Sequence, residues 1–129
     1  LCGFVEAGSD RVRYASAGHC AALLLGPNQA EAVDGGASPL GRSPESRYRE
    51  AQCHLQPGHA LVIYTRACRA TPEEGGDQAD ETLLTRSLAA RQNASAKELL
   101  TAARQGLEQN GNPSQPPHRT ILVLKRTHP

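Results

Sequence analysis

Apolar and polar residues follow one another along the first quarter of the chain in a pattern that predicts short antiparallel strands. Residues 1–7 are mostly apolar and are followed by a Gly-Ser-Asp turn signal. In residues 11–15 two arginines alternate with Val12 and Tyr14, which is the period of a half-buried strand. The two segments therefore predict a β-hairpin. Two further strands are predicted at residues 21–25 and 30–33.

The middle of the chain predicts a long loop followed by two more strands. Residues 34–47 contain three Gly, two Pro and three Ser, and Leu40 is their one strongly apolar candidate for an anchor. A strand is predicted at residues 48–55, after which the Pro-Gly pair at 57–58 suits the central positions of a type II turn. Residues 60–65 are the most apolar segment, so we expect this strand to be central in its sheet.

Two helices are predicted in the last third of the chain. Residues 80–92 place Leu84 and Leu88 on one helical face. Ser95 and Glu98 form a capping box, so the second helix should begin after Ser95. The predicted buried stripe of this second helix comprises Leu99, Leu100, Ala103 and Leu107. An Asn-Gly-Asn-Pro sequence should end this helix.

A last apolar run at residues 120–126 completes an order of several strands, two helices and one more strand, which is typical of the α+β class. The length of 129 residues fits one domain. The formal net charge is +1, so we expect no general attraction to nucleic acid or to an anionic membrane. No run approaches the roughly 18 apolar residues of a membrane-spanning helix.

The chain has four cysteines: Cys2, Cys20, Cys53 and Cys68. They are too far apart to form a C-x-x-C pair and lie among small or apolar residues, which favours a reduced, cytoplasmic protein. A cysteine-phosphatase loop needs an arginine six residues after its nucleophile. Cys20 has Gly26 at that position and Cys68 has Glu74, so the sequence does not indicate a thiol mechanism.

Several runs along the chain resemble, in order, the motifs of one family. YASAGHCAALLL is similar to its y-a-n-A-G-H-p-p segment, PLGRSPESRY to its p-L-G loop, and LQPGHALVIYT to its l-x-p-G-D-x-l-l-l-Y-T strand. The two helices and TILVLKR are similar to its last elements, which end in d-D-i-T-l-l-v-l-r. The family is the SpoIIE-like branch of the bacterial PPM-type metal-dependent serine/threonine phosphatases.

The resemblance implies an α/β/β/α sandwich, in which two antiparallel sheets pack face to face between helix pairs. Residues 1–129 would be its C-terminal part, a partial sandwich with a C-terminal helix pair. The family's first strands and other helix pair would lie upstream of Leu1. We therefore expect an uncovered apolar sheet face, and with it either association with another chain or marginal stability.

The family resemblance implies chemistry carried by aspartates that hold two Mn²⁺ or Mg²⁺ ions. One aspartate belongs to an upstream G-D-x-x-G-H-G segment, one to Y-T-D-G and one to the closing D-D-i-T. Arg66 and Ala67 stand at the Asp-Gly of the second motif, and Pro117 or His118 stands at the third. His59 replaces the aspartate of the G-D turn. A guanidinium cannot ligate these ions, so no metal cofactor is expected in this chain.

Other residues near these motifs have structural and functional interpretations. Arg66 could bind a phosphate group without hydrolysing it, or could be a solvated loop residue. His19 occupies the family histidine that, by resemblance, braces its loop through hydrogen bonds. The spacing of His54, His59 and His118 matches no zinc pattern.

Two hypotheses of function follow. In the first, the chain is a SpoIIE-like domain that has lost its metal-binding aspartates and acts as a non-catalytic regulatory or docking module in bacterial phospho-signalling. The resemblance implies a serine-phosphorylated partner of the anti-sigma-factor antagonist type, together with an upstream sensor domain or self-association. In the alternative, the chain belongs to an active Mn/Mg-dependent phosphoserine/phosphothreonine phosphatase that upstream residues complete.

Overall fold

The computed structural model describes residues 1–18, 22–27, 29–33, 37–65, 76–91, 93–108 and 120–127, with the backbone alone for 76–80. The elements within these ranges are β1 Cys2–Val5, β2 Arg11–Ala15, β3 Ala22–Leu25, β4 Ala30–Val33, β5 Ala51–His54, β6 Ala60–Tyr64, α1 Gly76–Ala89, α2 Ala96–Glu108 and β7 Ile121–Lys125. Every strand and helix predicted from the sequence is present, which confirms the α+β class. The largest boundary shifts are at β5 and α1.

The strands form two antiparallel sheets. One has the order β1-β2-β5 and the other the order β4-β3-β6-β7. The predicted hairpin pairs β1 with β2, and the apolar strand β6 lies between β3 and β7, as expected for a central strand. The type II turn before β6 is also confirmed, because Gly58 has φ +85° and the His59 N–H donates to the Gln56 carbonyl at 2.9 Å.

Alternation along the strands divides the core into two layers. In β6, Leu61 and Ile63 face the three-stranded sheet, whereas Val62 and Tyr64 face the helices. The inter-sheet layer contains Val12, Tyr14, Ala22, Val33, Leu55 and Leu61. The sheet–helix layer contains Leu23, Leu25, Ala60, Val62, Tyr64, Leu84, Leu88, Leu99, Ala102, Ala103 and Leu107. Burial of each large side chain contributes about 1.5–3 kcal/mol of transfer free energy, so these layers provide most of the stabilisation of the sandwich.

The helices pack against each other and against the four-stranded sheet. Helix α1 begins four residues before the predicted start, because its first turn, Gly-Asp-Gln-Ala, has no large apolar residue that a hydrophobic pattern could reveal. The predicted capping box at α2 is confirmed: Ser95 N–H and Oγ–H donate to Glu98 Oε2, and Glu98 N–H donates to Ser95 Oγ. The hydrogen bonds from Ser95 lower the pKa of the Glu98 carboxyl. Within the described residues, neither helix is long and apolar enough to cross a bilayer.

Two predicted apolar anchors are wrong. Leu100 is 40% exposed, and the buried face of α2 consists of Leu99, Ala102, Ala103, Gly106 and Leu107. The spacing of that face is i, i+3, i+4, i+7 and i+8, and Leu100 lies about 90° from the centre of the face, just beyond its edge at Leu107. Leu40 is 76% exposed, in a turn where the Arg42 N–H donates to the Pro39 carbonyl at 3.3 Å.

The outer face of the three-stranded sheet is more polar than expected for an uncovered apolar face. Arg13 and Gln52 lie side by side on this face, and Arg13 forms a bidentate ion pair with Glu50 at 2.9 and 2.7 Å. The hydrogen bond with Glu50 raises the pKa of Arg13 and lowers that of Glu50. Phe4, 70% exposed beside Arg13, is the main apolar group there.

Arg126 joins the two sheets at the end of the sandwich that holds the β1–β2 turn. Its Nη1 donates to the Ser9 carbonyl at 3.0 Å, in the β1–β2 turn, and to the Leu55 carbonyl at 3.2 Å, directly after β5. Its backbone N–H donates to the His59 carbonyl at 3.0 Å, beside β6. One half-buried guanidinium therefore connects the two halves of the sandwich across the inter-sheet layer.

Replacement of this arginine should weaken the fold. Arg126→Ala is expected to lower the free energy of unfolding by about 1.5–3 kcal/mol, because two carbonyls lose a charged donor. Arg104→Ala is the matched control, since Arg104 is 67% exposed and its ion pair with Glu108 lies on the surface of α2. Urea denaturation would compare the two variants, and equal stability would contradict the bridging role of Arg126.

Candidate functional site

Four strand termini meet at one end of the four-stranded sheet. Ala22 at the start of β3 lies opposite Ile63 of β6 and Val33 at the end of β4. Tyr64 at the end of β6 lies opposite Ile121 at the start of β7. We call this the Thr65 end of the sheet, because Thr65 directly follows β6. The chain leaves and enters the sheet here within a small area, which suits a site assembled from loops.

Thr65 and Thr120 extend the β6–β7 pairing by one position at this end. The Thr65 N–H donates to the Thr120 carbonyl at 2.9 Å, and the Thr120 N–H donates to Thr65 Oγ1 at 2.8 Å. A side-chain oxygen therefore replaces a backbone carbonyl as the second acceptor. These two threonines border the two segments that correspond, by the resemblance, to the family's second and third aspartate motifs.

The segment that leads into β3 is held against the 37–50 segment. Gly18 has φ +69° and its N–H donates to the Ala37 carbonyl at 2.8 Å. A Cβ placed on Gly18 would lie 2.5 Å from Pro39 Cγ and 2.7 Å from Pro39 Cα, well inside van der Waals contact. The A-G-H and p-L-G runs, which are separate in the sequence, therefore touch. Sequence analysis missed this role of Gly18, although a glycine in a small-residue loop was a usable signal.

The site residues predicted from the sequence all lie outside the described residues. They are Arg66, Ala67, Pro117, His118 and His19. Their described neighbours are Thr65, Thr120 and Gly18, which the structure places as set out above. The interpretations of these five residues therefore remain predictions.

Histidines in the described part of the chain do not come together. His54 lies on β5 with Nδ1 3.2 Å from Asp10 Oδ2, on the exposed surface. His59 precedes β6, at the opposite end of that strand from Thr65, and a Cβ on Gly26 would lie 3.5 Å from its Nε2. His59 Nδ1 is buried and finds no hydrogen-bond partner among the described atoms. The two imidazoles therefore have separate local surroundings.

The donor groups described at the Thr65 end do not suit a divalent cation. Across the described residues, no group of three His, Cys, Asp or Glu side chains could hold a metal ion. Thr65 and Thr120 are neutral, and the Thr65 oxygen already accepts a hydrogen bond. Mn²⁺ and Mg²⁺ bind best to carboxylates, which offset their charge.

Cys53 is a packing residue of the inter-sheet layer. Burial, with a smaller contribution from the nearby Glu31 carboxylate, raises the pKa of its thiol. A raised pKa leaves little thiolate at neutral pH, so Cys53 is not an activated nucleophile. Cys2 is exposed on β1, and Cys20 and Cys68 lie outside the described residues.

Comparison with known proteins identifies the family. The family model of Stage II sporulation protein E (SpoIIE) matches residues 1–127. The phosphatase domain of the cell fate determinant SpoIIE from Bacillus subtilis matches with TM-score 0.68 and 12% identity, over 99% of this chain and 55% of that one. A second structure of that domain, presoaked with Mn, matches with TM-score 0.65 and 12% identity, over 99% and 56% of the two chains.

A third structure, of the RsbU and RsbW domains of Rv1364c from Mycobacterium tuberculosis, matches with TM-score 0.76 and 23% identity, over 98% of this chain and 36% of that one. No curated protein sequence matches significantly. At these identities the structures establish a shared fold, and this chain spans little more than half of the B. subtilis domain. Because the family model matches almost every residue, the chain belongs to the SpoIIE family.

Proposed function

We propose that this chain is a non-catalytic SpoIIE-family module that docks a phosphorylated regulatory protein in bacterial phospho-signalling, in the cytoplasm. The observation that carries the proposal is Arg66, which directly follows the Tyr64-Thr65 exit of the central strand, where the family motif has aspartate. A fixed positive charge at short range disfavours a divalent cation by several kcal/mol at moderate dielectric. Loss of a carboxylate and gain of a repulsive charge act in the same direction.

The β7 side of the same sheet end supports the proposal. The hydrogen bonds between Thr65 and Thr120 join the ends of the two segments that carry the family's second and third aspartates. In this sequence those aspartates correspond to Arg66 and to Pro117 or His118. Substitution at both places removes acidic ligands from both sides of one sheet end. A single substitute carboxylate from a loop would leave a two-metal centre incomplete.

The proposed ligand is a phosphoserine segment that Arg66 binds without hydrolysis. Guanidinium forms two parallel hydrogen bonds to phosphate oxygens, which an isolated lysine does not reproduce. A serine-phosphorylated protein of the anti-sigma-factor antagonist type is the partner that the family resemblance supports. The two hydrogen bonds between Thr65 and Thr120 would hold the ends of the two flanking segments together after catalysis is lost.

Metal binding and turnover test the proposal directly. We expect calorimetry with Mn²⁺ to show no saturable binding to this chain, and a phosphoserine peptide to remain unhydrolysed with Mn²⁺ present. Arg66→Asp combined with His118→Asp should introduce measurable Mn²⁺ affinity. Arg86→Asp makes the same charge change as Arg66→Asp on an exposed site of α1 and should not do so. Mn²⁺-dependent turnover by the unmodified chain or by a longer polypeptide containing it, lost in Arg66→Ala, would establish the alternative of an active phosphatase.

Docking is measured separately from metal binding. A fluorescent phosphoserine peptide should bind more tightly than its unphosphorylated form, and Arg66→Lys should weaken binding because the bidentate contact is lost. Arg86→Lys is the matched control. Equal binding of the two peptides would contradict the docking role, even if the chain proves inactive.

A further inference from the structure

Residues 39–49 form a compact loop between β4 and β5, and the Pro39 carbonyl holds its two halves together. This oxygen accepts the Arg42 N–H at 3.3 Å and the Tyr48 hydroxyl at 3.4 Å. Compact surface loops that are closed by their own contacts are frequently functional. The backbone of such a loop loses little freedom when a partner binds, which reduces the cost of association.

The 39–49 loop lies at the Thr65 end of the four-stranded sheet. It follows β4, whose last residue, Val33, lies opposite Ala22 at the start of β3. Pro39 packs closely against Gly18, in the segment that leads from β2 into β3. The loop is therefore fixed beside the strand termini that border the proposed phosphoserine site.

Leu40 gives the loop an exposed apolar group that the core does not use. Its exposed fraction, 76%, is the highest among the large apolar side chains of the described residues, and it belongs to neither core cluster. A single exposed leucine is common on protein surfaces. Leu40, however, shares an ordered loop with Tyr48, which is 38% exposed, and with several charged groups of one sign.

Those charged groups are three exposed arginines without a carboxylate partner among the described residues. They are Arg42, Arg47 and Arg49. The ion pairs of the described arginines involve Arg13 and Arg104 instead. Glu45 is the one carboxylate within residues 39–49, so three positive charges and one negative charge leave the loop with a local charge of +2. Arginine and tyrosine are among the residue types enriched where interfaces gain most of their binding energy.

We propose that the 39–49 loop is a second docking surface for the phosphorylated partner, and that it binds an acidic segment with an apolar side chain next to the phosphoserine. Leu40 and Tyr48 contact the apolar side chain, and the guanidinium groups bind carboxylates through charge-assisted hydrogen bonds. A local charge of +2 attracts an acidic segment and repels a basic one. The inference rests on the proposed phosphoprotein docking for its partner, but the loop residues that carry it are distinct from the proposed phosphate contact.

Four fluorescent peptides of equal length separate the loop contact from phosphate binding. Two have leucine and glutamates beside the serine, with and without phosphate, and two have alanine and glutamines there. We expect the acidic apolar flank to tighten binding at least about fivefold in both forms, with a smaller gain at high salt. A gain from the phosphate alone would overturn the role of the loop and leave the proposed function standing. A gain from the flank alone would support the loop and contradict phosphate docking.

Substitutions in the loop locate the contact. Leu40→Ala should weaken binding of the acidic apolar phosphopeptide at least about threefold, whereas Leu100→Ala, at an exposed position of α2, should not. Arg47→Gln should also weaken binding, and Arg86→Gln on α1 is its matched control. Unchanged affinity in Leu40→Ala would overturn the proposal. So would an oligonucleotide that binds at least as tightly as the peptide, because it would indicate a surface for polyanions in general.

The same substitution in a longer polypeptide that contains this chain tests whether the loop is accessible there. Leu40→Ala should leave the urea midpoint of that polypeptide unchanged, because an exposed side chain contributes little to stability. A lower midpoint would show that another part of the polypeptide covers Leu40, and the docking surface would be ruled out.

Discussion

Leu99→Ala is expected to lower the free energy of unfolding by about 2–5 kcal/mol, because it leaves a cavity in the sheet–helix layer. Leu99 is fully buried against Leu84 and Leu88 of the other helix in one core cluster. Leu100, the next residue of α2, is 40% exposed. Leu100→Ala should therefore change stability by less than about 1 kcal/mol.

The two variants form an unusually well-matched pair. Both remove the same atoms from adjacent positions of one helix, so the change in intrinsic helix propensity is the same and cancels in the comparison. Urea denaturation followed by circular dichroism would measure both, with the slope of the transition as a check that the unfolded states are comparable. Equal losses at the two positions would show that α2 presents a different face to the sheet.

Gly18→Ala is expected to be the most damaging of the glycine substitutions at positive φ. A left-handed conformation costs an L-residue about 1–2 kcal/mol. At Gly18 the added Cβ would also lie 2.5–2.8 Å from three atoms of Pro39, one of them the Cα. Backbone cannot move aside as a flexible side-chain tip can, so overpacking should add about 1–3 kcal/mol and separate the two loops.

Alanine substitutions at two other glycines measure the cost of a positive φ without a steric contact such as that with Pro39. Gly8 and Gly41 have φ +76° and +78°, and a Cβ on either meets no atom within 4 Å. Gly8→Ala and Gly41→Ala should each show only the backbone penalty. Thermal denaturation of the three variants measures the difference directly. If Gly18→Ala is no less stable than Gly41→Ala, the loop contact with Pro39 does not hold the segment that leads into β3.

The positions of strands, turns and caps could be predicted because local chemistry decides them. Alternation of arginine with Val12 and Tyr14 defined β2, and the Pro-Gly pair at 57–58 required a positive φ at Gly58, which the structure has. Ser95 and Glu98 satisfied each other's backbone donors at the start of α2. Each of these features involves residues within a few positions of one another, so no knowledge of the tertiary fold was needed.

Which apolar side chains are buried could be predicted only where the sequence pattern allows a single arrangement. Leu99 and Leu100 are both apolar and both fit a hydrophobic stripe. The packing of α2 against the sheet determines which of the two is buried. Leu40 was assigned as an anchor because it is the strongly apolar residue in a polar loop, but turns and the Arg13–Glu50 ion pair hold that region. Where several arrangements satisfy the local sequence, packing against distant elements selects among them.

At the candidate site, comparison with the family motifs showed which residue types stand at the motif positions. The structure showed which described residues lie next to them. The proposed replacement of an aspartate by Arg66 rests on comparison with the family motif alone. The contact between Gly18 and Pro39 and the bond between Thr65 and Thr120 join residues 21 and 55 positions apart. No local pattern contains such information, because it depends on which distant strands pair and which distant loops pack together.

By itself, the sequence determined the type and order of the strands and helices, the family, and the chemical character of the positions where metal-binding aspartates would stand. Periodicity, capping and turn residues act over a few residues, and charge at a position does not depend on the fold. Only the tertiary structure decided which leucine of α2 is buried, that Gly18 lies against Pro39, and that Thr65 pairs with Thr120. These depend on contacts between segments far apart in the chain, whose energies are set by the stacking of both sheets and the helices together.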